Sequence, residues 1–237
     1  MKPYRYLFGP VLSRRLGRSL GVDLVPAKTC ALDCVFCQLG RTGTCRVERR
    51  EYVPTAAVLR ELRDWIAGDQ AADFITLAGS GEPTLHTRFG DVLECARGCA
   101  RCRTALLSNG VLFSLPEVRA AAARAHVVKL TLSAWDQTSF RALHRPHPQL
   151  RLDRIVASYR AFRAEFSGEL WLEVFLVPGL NTAREQVRRI AAIDLPGQAW
   201  SLAEPTGTVS HDAGHTVFDS LHADEDHSLE SAPAAGN

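Results

Sequence analysis

Three cysteines set the first chemical question. In Cys30-Ala31-Leu32-Asp33-Cys34-Val35-Phe36-Cys37 the thiols are separated by three and then by two residues. A loop of that length lets three thiolates converge on three irons of one cubane. The fourth iron then keeps an open position where a small molecule can bind directly, which suits a catalytic rather than a purely electron-carrying cluster. Three buried thiols, or a zinc site short of its fourth ligand, would use the same residue types. A second feature follows the next apolar run: Gly79-Ser80-Gly81-Glu82-Pro83-Thr84. Glycines there permit backbone conformations barred to other residues and let a ligand approach the main chain closely. An ordinary turn leading into a helix has the same composition.

Other residues compete for attention. Cys95-Ala-Arg-Gly-Cys99-Ala-Arg-Cys102 repeats the first spacing, with Arg101 where the first motif has Phe36. Positions 95, 99 and 102 share one helical face and precede an apolar run instead of following one. A buried small-residue face is therefore expected there, with an auxiliary cluster or zinc as the alternative. Cys45 reads as an incidental thiol. Arg14-Arg15 and His144-Arg145-Pro146-His147 are candidates for holding a phosphate or a carboxylate, or are simply loop charge. Ser108, Asn109 and Ser133 each end an apolar run; Asn109-Gly110 is also a common turn pair.

The elements that must position these residues alternate. Apolar runs at Val22–Val25, Phe74–Ala78, Thr104–Leu107, Val127–Leu132 and Leu170–Val177 are separated by helical periodicities. Thr55 is placed to cap a helix bearing Val58, Leu59, Leu62 and Ile66 on one face. Phe89, Val92, Leu93 and Ala96 repeat that spacing. Pro116 suits a first helical turn. A stripe from Leu152 to Phe166 closes at Gly168, and Thr182 with Glu185 can form a capping box. Strand–helix alternation predicts parallel strands with helices outside, as an open doubly wound sheet or a partial barrel. The first cysteine motif then lies at a strand's C-terminal end, the face where α/β barrels keep their active sites.

The chain of 237 residues, 46% hydrophobic, is long enough for one sizeable core. It carries no apolar run of bilayer length, and its first residues lack the apolar stretch of a secretion signal. A cytoplasmic protein with no membrane partner is expected, its seven cysteines serving as ligands or buried thiols rather than disulfides. Asp212, Asp219, Asp224, Glu225, Asp226 and Glu230 lie in residues 210–237, which contain no Lys or Arg. That acidic segment, with His211, His215, His222 and His227, predicts a disordered tail on a core domain of residues 1–209. The remaining body is basic, which suits an anionic partner such as nucleic acid, although no compact basic stripe with interleaved aromatics accompanies it.

Taken together, these motifs resemble the radical S-adenosylmethionine (SAM) superfamily. Its signature is C-x3-C-x-aromatic-C, with Phe36 in the aromatic place, and Gly79-Ser80-Gly81-Glu82-Pro83 resembles its Gly-Gly-Glu-Pro type motif, which contacts the amino group of the SAM methionine. A narrower similarity lies in Phe8-Gly9-Pro10-Val11-Leu12-Ser13-Arg14-Arg15-Leu16-Gly17, Cys37-Gln38-Leu39-Gly40, Arg145-Pro146-His147-Pro148 and Leu172–Val177. These resemble a subgroup of compact proteins described as Fe–S oxidoreductases, related in motif style to wybutosine-type tRNA-modifying and nitrogenase-cofactor enzymes. The resemblance runs from about Tyr4 to Ile193.

The resemblance implies an α/β fold, a partial parallel (β/α) barrel of five to six strands. It implies a [4Fe–4S] cluster on Cys30, Cys34 and Cys37, and SAM beside Gly79, Gly81, Glu82 and Pro83. Ser108, Asn109 and Ser133 fall where the superfamily places polar SAM contacts. The implied reaction is reductive cleavage of SAM to methionine and a 5′-deoxyadenosyl radical, which abstracts hydrogen from an unknown substrate. A reductase or a flavodoxin- or ferredoxin-type donor would supply the electron. A non-catalytic iron–sulfur or zinc-binding module, and an RNA-binding or tRNA-modifying protein, are the alternatives. Past Ile193, where the last strand and helix of a six-unit barrel are expected, the resemblance fades; Ala199–Val209 offers only a shortened strand.

Overall fold

The computed structural model describes residues 4–193 and 199–203. Its centre is a seven-stranded sheet whose spatial order equals the chain order. The strands are β1 (Leu7–Ser13), β2 (Gly17–Val22), β3 (Phe74–Leu77), β4 (Arg103–Ser108), β5 (Val127–Thr131), β6 (Glu169–Phe175) and β7 (Ala199–Ala203). All neighbours from β2 to β7 are parallel, and β1 is antiparallel to β2. The helices are α1 (Thr55–Ala67), α2 (Phe89–Arg97), α3 (Pro116–Ala122), α4 (Gln137–His144), α5 (Leu152–Glu165) and α6 (Arg184–Ala191).

Strand order decides between the two architectures that alternation left open. A doubly wound sheet reverses its order at a switch point and carries helices on both faces. Here the order never reverses, so right-handed crossovers leave every helix on the same side. Side-chain burial agrees. Leu20, Val22, Ile75, Leu77, Leu106, Val128, Leu130, Leu170 and Leu172 share one core with helix residues such as Val58, Leu62, Trp65, Leu93 and Phe162. Phe74, Ala105 and Val127 point the other way and form a separate small cluster with Leu16. The sheet is a partial barrel with a helix-covered convex face and an open concave one. Its two edges are β1 and β7.

Several expectations need correcting. The first parallel strand ends at Val22, where the apolar run Val22–Val25 begins; Leu24 and Val25 are buried but lie in the loop beyond it. The antiparallel strand β1 had no apolar signature, because only Leu7 of its side chains is buried and its register shifts between Phe8 and Val11. Pro10, which lacks an N–H, is tolerated there because the strand is an edge. Thr55 does not cap α1: Pro54 is the N-cap, and the Glu51 carboxylate accepts from the Thr55 N–H at 2.6 Å. Thr182 and Glu185 form no capping box; the Gln186 side chain accepts from the Ala183 N–H at 3.0 Å. The shortened strand expected within Ala199–Val209 exists as β7, parallel to β6. The acidic segment 210–237 lies outside the described residues.

Candidate active site

Cys30, Cys34 and Cys37 occupy the long loop between β2 and α1, at the C-terminal end of the sheet. That loop is pinned from three directions. Leu32 forms a bridge with Pro146. The Asp33 N–H reaches the His144 carbonyl at 3.0 Å and the His147 N–H reaches the Ala31 carbonyl at 3.0 Å. The Asp33 carboxylate accepts from the Thr42 N–H at 2.6 Å and lies 3.2 Å from Arg145 Nε. Burial would raise the Asp33 pKa, but the Thr42 N–H, Arg145 and Arg41 outweigh it and hold the group below the usual range. Phe36 stacks on Phe175 of β6 with centroids 4.4 Å apart, tying the loop to the rim of the concave face.

The turn after β3 meets this loop directly. The Lys28 N–H donates to the Ser80 carbonyl at 2.7 Å, and the Glu82 N–H donates to the Thr29 carbonyl at 2.9 Å. The glycines are also required by the packing of the two loops against each other. A Cβ on Gly79, at φ +138°, would stand 2.6 Å from Asp23 Cγ. One on Gly81 would stand 2.2 Å from the Thr29 carbonyl oxygen. Glycine is needed at both so that the loop carrying the cysteines can lie against the turn. Asp23, unmarked in the sequence, joins the two by accepting from the Ser80 N–H at 3.1 Å.

Glu82 is buried and serves as a hub. Its oxygens accept from Thr84 Oγ1 at 2.6 Å, Ser108 Oγ at 2.7 Å and the Asn109 N–H at 2.7 Å. Burial raises its pKa, opposed by these hydrogen bonds. Pro83 opens the short 3-10 turn Pro83–Leu85 behind it. Ser108 and Asn109 are thus brought to the cysteine loop through Glu82. Ser133 sits further along the rim, where its hydroxyl accepts from the Phe175 N–H at 2.9 Å and its carbonyl from Asn181 Nδ2 at 3.0 Å. The sequence reading missed Asn181, which is fully buried and also donates to the Phe175 carbonyl.

The donor set around the sulfurs tests whether an iron–sulfur cluster fits. Cys30 Sγ accepts from the Leu32 N–H at 3.4 Å and from Asn109 Nδ2 at 3.3 Å. Cys37 Sγ accepts from Lys28 Nζ at 3.4 Å. His144 Nδ1 lies 3.2 Å from Cys34 Sγ. Cys30 and Cys37 thus have N–H donors, an environment that favours thiolates, and a ring nitrogen lies within hydrogen-bond distance of Cys34. As residues the cysteines are only half-buried, yet burial around the sulfur pushes the Cys30 thiol up to about 12 and raises Cys34 well above its ordinary value. These thiols release their protons when a metal supplies the compensating charge. Among the described residues, no three His, Cys, Asp or Glu side chains are grouped closely enough to hold one metal ion. A cubane gives each thiolate its own iron and needs a wider spacing. The residues fit that group.

The other candidates fall elsewhere. Arg14 and Arg15 sit in the β1–β2 turn, which abuts Asp73 at the start of β3. That is the opposite end of the sheet, so they cannot touch a ligand at the cysteine loop. Of the second triplet only Cys95 is helical, because α2 ends at Arg97; the three do not share a helical face. Cys99 and Cys102 are buried in the core at the N-terminal end of β4, and Cys102 donates to the Ala72 carbonyl. Cys45 lies 3.7 Å from the Arg145 carbonyl. One step below Phe175 on the concave face, Glu173 pairs with Lys129 of β5.

This geometry agrees with the family. The profile of the Radical SAM superfamily matches residues 24–191, and the chain belongs to that superfamily. Members bind a [4Fe–4S] cluster and SAM, and these are its cofactors. The chain is 35% identical over 202 residues to a UPF0026 protein of Synechocystis sp., covering 84% of this chain and 75% of that protein. It is 34% identical over 187 residues to a protein of Brachyspira hyodysenteriae named GTPase Obg. That match covers 79% of this chain but only 28% of the Brachyspira protein. Among solved structures, native anSMEcpe with bound AdoMet superposes with a TM-score of 0.60 at 12% identity, over 83% of this chain and 54% of that one. Among the described residues no helix is long and apolar enough to cross a membrane.

Proposed function

We propose that this protein cleaves SAM reductively, with the cluster held by Cys30, Cys34 and Cys37. When bound, the cluster and SAM together supply methionine and a 5′-deoxyadenosyl radical that abstracts hydrogen from a substrate. One observation carries the reading: all three sulfurs sit at the C-terminal rim of the sheet, each with a nitrogen within hydrogen-bond distance, against the turn that follows β3. The chain's own groups hold and orient. Glu82 fixes Ser108 and Asn109 beside Cys30. The turn Gly79-Ser80-Gly81-Glu82-Pro83, with Ser108, Asn109 and Ser133, forms the polar rim that receives SAM. The Phe36–Phe175 stack helps keep water from the rim.

The test is anaerobic reconstitution of the full chain with iron and sulfide, followed by SAM and a strong reductant. About four irons per chain, a change in the EPR signal when SAM is added, and release of 5′-deoxyadenosine are expected. Alanine at any one of Cys30, Cys34 or Cys37 should abolish all three. A triple variant that kept full iron and sulfide content would refute the assignment.

A further inference from the structure

Two side chains bring a nitrogen to the sulfurs from outside the cysteine motif, His144 to Cys34 and Lys28 to Cys37. His144 ends α4 with its ring almost fully buried. Phe36 meets that ring edge-on, centroids 5.3 Å apart, and Phe140 flanks it at 5.2 Å. Its backbone carbonyl accepts from the Asp33 N–H. The ring is locked by packing on the cysteine loop, with Nδ1 aimed at Cys34. Lys28 is fixed from its own side: its backbone N–H is bonded to Ser80, and its ammonium lies between Cys37 Sγ and the Gly40 carbonyl.

The backbone around these donors is unusual as well. Among the described residues, the only non-glycine residues with positive φ are Lys28, at 62°, and Arg145, at 39°. One is a donor itself; the other directly follows His144. Side chains rarely adopt such a conformation, and it persists where the surroundings over-determine it, typically at functional sites.

We propose that His144 and Lys28 are positioning residues that act on the cluster through its ligands, His144 donating Nδ1–H to Cys34 Sγ and Lys28 donating its ammonium to Cys37 Sγ. The inference rests on the cluster reading above and extends it to how readily the cluster is reduced. A hydrogen bond to sulfur strengthens as the sulfur gains negative charge. One-electron reduction adds charge to the cubane and its thiolates, so both bonds favour the reduced form and raise the potential. The cationic donor acts on Cys37 and the neutral one on Cys34, so each acts through a different sulfur of the same cluster and removing both lowers the potential further than removing either.

The experiment is an EPR-monitored redox titration of the full chain, reconstituted anaerobically without SAM, as wild type, His144→Phe, Lys28→Met and the double variant. Phenylalanine fills the ring volume and methionine keeps the stem, so packing is preserved while the donor is lost. Each single variant should be about tenfold harder to reduce, a fall of about 59 mV in midpoint for a one-electron couple. The double variant should fall further than either single one. Cluster-loaded variants that titrate with the wild type would overturn the proposal. If a variant takes up no cluster, pulsed EPR of the reduced wild type labelled with 15N at that residue type, histidine or lysine, decides: a coupling from that nitrogen supports the proposal, and its absence overturns it. A wild type that takes up no cubane would end both readings, and iron content reveals that before any potential is measured.

Discussion

Glu82 shows how much a single buried group organises. A carboxylate with this burial is costly unless its lone pairs are occupied, and here Thr84, Ser108 and the Asn109 N–H occupy them. Glu82→Ala would leave those donors unsatisfied at a cost of roughly 1–3 kcal/mol for each buried group. We expect a clearly lowered urea midpoint together with weakened SAM binding, since Asn109 would no longer be held beside Cys30. Unchanged stability would show that the hub is dispensable. Thr55 is the opposite case. Its hydroxyl is buried at the start of α1 and is the one buried side-chain polar atom among the described residues without a partner. Thr55→Val keeps the shape and removes the unsatisfied oxygen, so a gain of up to about 1 kcal/mol is expected in urea unfolding. A loss would mean that the hydroxyl finds a partner in solution.

At the scale of elements, the second cysteine triplet separates spacing from placement. Its spacing matches the first, but α2 ends between Cys95 and Cys99, and Cys99 and Cys102 turn into the core at the N-terminal end of β4. That end is opposite the cysteine loop. Replacing Cys95, Cys99 and Cys102 together by alanine should leave about four irons per reconstituted chain and leave SAM cleavage intact, at a modest cost in stability from lost packing. About eight irons in the wild type, half of them lost in the variant, would establish a second centre. Chain direction through the sheet is what distinguishes the two triplets. A loop after a parallel strand opens onto the rim, whereas a segment before one sits at the base.

At the scale of the whole molecule, the concave face is the part no helix covers among the described residues, and it carries a partly buried ion pair, Lys129 with Glu173. Breaking a pair from one side costs about 3–5 kcal/mol where it is fully buried and less where water reaches one partner, as it reaches Lys129, whereas replacing both partners by apolar groups is often near neutral. Lys129→Met should therefore be destabilised, and Lys129→Met with Glu173→Leu should recover most of the loss in urea unfolding. If the double variant were no better than the single one, the two charges would not be partners. The pair also places a polar layer directly below the Phe36–Phe175 stack.

Read alone, the sequence established the class of the fold and pointed to the chemistry proposed for the site. The spacing of Cys30, Cys34 and Cys37 and the position of Gly79–Thr84 after a strand are local properties, and strand–helix alternation fixed parallel strands with helices outside. The N-terminal hairpin escaped it because an exposed edge strand has no buried face to create a pattern. Only the tertiary structure decided between a barrel and a doubly wound sheet, since that depends on strand order, which no local period encodes. It moved Arg14 and Arg15 away from the site and brought His144, Lys28 and Asp23 to it, while the different place of the two cysteine triplets was already legible in which of them follows an apolar run. His144 lies 110 residues from Cys34. Contacts of that range arise only when α4 packs against the cysteine loop, so a lone histidine in the sequence gives no sign of the sulfur it will face.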